Sequence, residues 1–144
     1  MTLEAQKQGI DQLFLQDPIL FSSKLLHGRL DQFHQADQYT VPMLFYDRGM
    51  PDVTAYMDYL GTIYPASFTE TCMNYCYDLI FVLPPWKEIY ISDNERYESW
   101  DIAQEIAVHL ESAYANYGYQ PILVPTGTVA ERVSFVLEEL KNIL

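Results

Sequence analysis

Asp78-Leu79-Ile80-Phe81-Val82-Leu83, closed by Pro84-Pro85, is the clearest strand in a chain of 144 residues. A continuous apolar run of that length, ended by two prolines that cannot donate to a ladder, suits a strand covered on both faces. Val41-Pro42-Met43-Leu44-Phe45-Tyr46 is a second run of strand length, ending on Asp47-Arg48-Gly49. Tyr119 to Val124 is a third, placed at an edge by Pro121. Helical patterns fill the intervals. Asp17-Pro18 pairs an N-cap acid with proline at the first helical position, and Leu20, Phe21, Leu25, Leu26, Leu30 and Phe33 follow, to an end near Gln38. Pro51 opens a helix carrying Val53, Tyr56, Met57 and Leu60, stopped by Gly61, and Pro65 opens another with Phe68, Cys72 and Tyr75. Ser99 caps a helix with Ile102, Ile106, Leu110 and Ala113 on one face and Gly118 as its stop. Thr128-Val129-Ala130-Glu131 is a capping box for a last helix bearing Val129, Val133, Val136, Leu137, Leu140 and Leu144. Strands alternating with helices long enough for crossovers imply an α/β fold with a parallel sheet, its ligands beyond the carboxyl ends of the strands.

Composition narrows the function classes. Hydrophobic residues make up 49% and charged residues 19%, which excludes a disordered chain, and 144 residues correspond to a single domain, 1–144. Eight Lys and Arg stand against twenty Asp and Glu, a net charge of −12 that repels nucleic acid. No apolar run is long enough to span a membrane and the first residues lack a signal-peptide core, so a cytoplasmic location without membrane contact is expected. Cys72 and Cys76 have no second pair elsewhere, which excludes a disulfide framework and a four-ligand zinc site. The three histidines, 27, 34 and 109, do not cluster with acids or cysteines.

Taken together, the strand ends resemble a known family. Asp47-Arg48-Gly49 with Pro51-Asp52 and Tyr56 is similar to the DRG-x-P-D-x-x-x-Y segment of predicted AAA-type P-loop ATPases related to the nicotinamide-riboside-kinase-like domain of NadR. The similarity continues through Tyr77–Trp86, Glu88-Ile89-Tyr90, Asp93-Asn94-Glu95-Arg96, Gly118-Tyr119 and Val124-Pro125 to Val129-Ala130-Glu131-Arg132-Val133. The resemblance implies a three-layer α/β/α P-loop fold and phosphoryl transfer from Mg-ATP to an unidentified small-molecule acceptor. It implies Asp47 at the Mg²⁺ and Arg96 in a lid that closes over the phosphates, these two being the catalytic candidates. It further implies Arg48, Asp52 and Arg29 toward the acceptor, and Pro125, Thr126 and Gly127 beside the nucleotide base.

The residues taken alone leave milder alternatives open. Asp47 suits a capping acid as well as a metal ligand, Arg48 and Asp52 suit a mutual ion pair, Arg29 suits a solvated helix position, and Arg132 suits an ion pair with Glu131 or Glu138. One departure from the family is large. The glycines are 9, 28, 49, 61, 118 and 127, and none is followed by Lys-Ser or Lys-Thr, so the phosphate loop G-x-x-x-x-G-K-[ST] is missing. The expectation is a partial P-loop fold, truncated at its N-terminus and without its first strands, hence inactive alone. The alternative is a non-catalytic interaction module that self-associates through the vacant slot in its sheet.

Overall fold

The computed structural model describes residues 16–87 and 99–143. The chain forms two compact units, 1–76 and 77–144. The described part of the first is helical and that of the second is mixed α/β.

In the first unit α1 spans Pro18–Gln35 and passes into a 3₁₀ turn, Ala36–Gln38. The expected cap is present: the Asp17 carboxylate accepts from the Leu20 N–H at 3.0 Å. Helix α2 spans Met50–Leu60 and stops at Gly61, whose φ of 70° is the left-handed conformation that lets a helix terminate without a Cβ clash. Helix α3 spans Ala66–Asn74. Leu26 of α1, Met50, Val53, Ala55 and Met57 of α2, and Phe68 and Cys72 of α3 form the buried apolar set. Packing selects only part of the stripe expected on α1. Leu26 is buried, Leu20 and Leu25 are exposed, and Ser22 takes a core position, its hydroxyl donating to the Met57 sulfur at 3.0 Å. Cys72 is buried while Cys76, beyond the end of α3, is exposed, and both are free thiols.

The strand expected over Val41–Tyr46 is not formed. The segment carries no strand pairing, and Val41 and Phe45 are 52% and 66% exposed. Strand propensity is a preference for a half-buried pleated surface, and without a neighbouring ladder the pattern alone does not make a strand.

In the second unit β1, Phe81–Val82, pairs in parallel with β2, Ile122–Leu123, Phe81 lying opposite Ile122. The pairing is closed by Ile122 N–H to Ile80 O at 2.9 Å and Val124 N–H to Val82 O at 2.8 Å. Parallel pairing was expected; the ladder is shorter than either apolar run. Helix α4, Trp100–Asn116, starts where Ser99 accepts from the Ile102 N–H at 3.3 Å. Its expected inner face holds, with Ala113 buried and Ile102, Ile106 and Leu110 half-buried. Helix α5, Val129–Ile143, begins at the expected capping box: Glu131 N–H donates to Thr128 Oγ1 at 3.1 Å and Thr128 N–H to Glu131 Oε1 at 3.2 Å. Its apolar stripe divides. Val136 and Leu140 are half-buried, whereas Val129, Val133 and Leu137 face outward. Among the described residues no helix is long and apolar enough to cross a membrane.

Candidate functional site

Four of the residues expected in the site converge on one turn of the first unit. The turn is Asp47-Arg48-Gly49, leading into α2. Arg48 has φ of 68°, the only positive φ at a non-glycine among the described residues. A Cβ is crowded in the left-handed region, so an arginine is held there by its surroundings rather than by preference. Those surroundings are identifiable. The Gly49 N–H donates to Asp52 Oδ1 at 3.0 Å, and Gly49 O accepts both from Arg29 Nη1 at 3.0 Å and from the Asp52 N–H at 3.2 Å. Gly49 and Met50 are buried, Arg29 and Asp52 half-buried, and Asp47 and Arg48 exposed.

This geometry gives two of these residues a structural part in the turn. Asp52 caps α2, and an acid at this position also suits the positive end of the helix dipole. Arg29 is neither a solvated helix residue nor a free cation: its guanidinium reaches twenty positions along the chain to a backbone carbonyl. That contact is invisible in sequence, because nothing local to Arg29 predicts the partner. The left-handed Arg48 was missed for a related reason, since the usual signal for that conformation is Gly or Asn.

The second group lies in the other unit, after β2. Pro125 and Thr126 are exposed and Gly127 is half-buried, with φ of 156°. A Cβ built on Gly127 would lie 3.4 Å from Glu131 Oε2, so the capping carboxylate lies directly over this loop. Arg132 was expected to pair with Glu131 or Glu138; the Glu131 carboxylate accepts from the Thr128 N–H, and Arg132 Nε is buried with no hydrogen-bond partner. Arg96, together with Glu88–Tyr90 and Asp93–Glu95, lies outside the described residues.

Metal-binding capacity is limited. No group of three or more His, Cys, Asp or Glu side chains converges among the described residues. Asp47 therefore offers one exposed carboxylate. Mg²⁺ is commonly held by one or two carboxylates, with phosphate oxygens and water completing its shell. A single carboxylate fits an ion whose other ligands are phosphate oxygens and water.

No curated protein and no solved structure matches the chain. A family model, described as the AAA domain, matches residues 1–132. That match spans most of the chain and includes both the Asp47-Arg48-Gly49 turn and the Pro125–Gly127 loop, and on it the chain belongs to the AAA domain family.

Proposed function

We propose that the chain carries the acceptor-side turn and the base-side loop of a NadR-like, nucleotide-dependent phosphoryl-transfer domain, an ATPase or small-molecule kinase. In this reading the chain is not an efficient catalyst by itself. The single observation that carries it is the Asp47-Arg48-Gly49 turn, where an arginine is kept in a disfavoured conformation at the entrance to a helix. Strain of that kind persists where the surroundings over-determine it and clusters at functional positions. Asp47 would hold the nucleotide's Mg²⁺ and Arg48 would meet the acceptor, with Arg96 as the lid cation. The Pro125–Gly127 loop would lie against the base. A carboxylate directly over the loop, from Glu131, disfavours a phosphate there and suits an amino-bearing base edge. The ATP phosphates themselves have no cradle in this sequence, which contains no G-x-x-x-x-G-K-[ST].

Mg-ATP hydrolysis by the full chain, set beside an intact P-loop ATPase, tests this. The expected result is no turnover above the uncatalysed background. Turnover at a rate like the reference enzyme, unchanged by Arg96→Ala, would sink the proposal.

A second reading, a non-catalytic interaction module, is favoured by the segment Val41–Phe45, which has strand composition, forms no strand, and exposes Val41, Leu44 and Phe45. A second copy would add a strand to this segment. Light scattering on the eluting protein decides it: a concentration-dependent dimer lost in Phe45→Lys supports the module, and a monomer at every concentration removes it.

A further inference from the structure

We infer that Arg29 is the positioning residue of the Asp47-Arg48-Gly49 turn: its bond to the Gly49 carbonyl, together with the Asp52 cap, keeps Arg48 in its left-handed conformation. The inference rests on the proposed role of that turn, but its test does not use nucleotide.

The two peptide groups that flank Gly49 are both tied down. The Arg48–Gly49 peptide is fixed through its N–H, which donates to Asp52 Oδ1 at 3.0 Å. The Gly49–Met50 peptide is fixed through its carbonyl, which accepts from Arg29 Nη1 at 3.0 Å and from the Asp52 N–H at 3.2 Å. Holding the first peptide plane restricts rotation at both Arg48 ψ and Gly49 φ. With the second held as well, rotation about Gly49 cannot accommodate a change at Arg48, and relaxation to a negative φ has to displace the chain before it or break one of these bonds. The Asp52 contacts are local and belong to the helix cap, three residues away. Among the described residues Arg29 is the one anchor that comes from another element, α1, and a charged donor makes the stronger type of hydrogen bond. Its half-buried position limits competition from water. Arg29 therefore couples the seating of α1 on the first unit to the conformation of the exposed Arg48. A ligand that needs Arg48 in this conformation meets it already formed, without the ordering cost that a free loop would impose.

A cycle of variants reads this in the full chain. Arg48→Gly removes the Cβ crowding, so its thermal midpoint should rise by about 3 °C over the parent. In an Arg29→Gln background the turn keeps only its two Asp52 contacts and relaxes more easily, so the same Arg48→Gly change should give a clearly smaller rise. Should Arg29→Gln not fold, Arg29→Lys serves instead: a single ammonium still reaches for the carbonyl, and the rise should fall to roughly half its parental size. A structural role for Arg29 away from the turn would lower all midpoints but leave the Arg48→Gly gain undiminished. An undiminished gain in the Arg29 background overturns the inference, as does an Arg48→Gly midpoint at or below the parent's. Loss of nucleotide binding or of ATP turnover has no bearing on either result, so failure of the functional proposal is separately visible.

Discussion

Met57→Leu should destabilise the first unit through a hydroxyl 35 positions away, and Ser22→Ala should repair most of the damage. Met57 is fully buried and Ser22 nearly so, and the Ser22 hydroxyl donates to the Met57 sulfur at 3.0 Å. Leucine has nearly the volume of methionine, so repacking costs less than about 1.5 kcal/mol. It offers no acceptor, and a buried donor left unpaired costs about 1–3 kcal/mol more. Thioether sulfur is a weak acceptor, so Ser22→Ala alone, which removes the donor as well, should cost under about 1 kcal/mol. The double variant therefore keeps only the repacking cost, and should be more stable than Met57→Leu by about 1–2 kcal/mol. That difference corresponds to roughly 3–8 °C in thermal midpoint for a chain of this size. Urea unfolding followed by circular dichroism, with a common slope across the variants, measures it. Equal stability of Met57→Leu and the double variant would refute the reasoning; the hydroxyl would then have another partner, such as a carbonyl one turn back in α1.

Other expectations are simpler. Two glycines in the first unit should respond to alanine with opposite signs. Gly28 lies inside α1 with nothing within 4 Å of a new Cβ, so Gly28→Ala should stabilise by about 1 kcal/mol. Gly61 is equally open, but its φ of 70° makes Gly61→Ala cost about 1–2 kcal/mol by backbone strain alone, and the same urea midpoints check both. Thr128→Ala removes the side-chain half of the α5 cap and should cost about 1 kcal/mol. Since α5 contributes no fully buried side chain, the effect should appear in hydrogen exchange as faster exchange along its first turn, and unchanged exchange there would count against the capping account.

Local signals in the sequence were the ones that carried through. Asp17, Ser99 and Thr128 cap the helices they were expected to cap, and Gly61 ends its helix, because each acts on backbone groups within four residues. What failed depends on a distant partner. Val41–Tyr46 has strand composition, yet a strand exists only against another strand, and no such neighbour is present among the described residues. The outward placement of Val129, Val133 and Leu137 has the same origin: periodicity gives a stripe, while the packing partner decides which part of it turns inward. The residues of the Asp47-Arg48-Gly49 turn were legible as a motif. Their arrangement was not, since it turns on a hydrogen bond between α1 and Gly49 and on a backbone angle for which arginine is no signal.

The brevity of the β1–β2 ladder has a kinetic consequence. A ladder of two residue pairs, flanked by the bonds from Ile122 to Ile80 and from Val124 to Val82, closes a loop of about forty residues, whose entropy cost is on the order of 3 kcal/mol. At about 1 kcal/mol net for each bond, so short a ladder at best offsets that closure and leaves no margin of stability. The margin has to come from side chains that are buried only after chain collapse, Ile80 and Val124 flanking the strands and Ala113 and Tyr114 in α4. The strands of the second unit should consequently be late arrivals on its folding route, following α4 instead of templating it. A transition state so arranged gives low φ-values at Ile80 and Val124 and higher ones at Ala113, with unfolding starting from the parting of the strands.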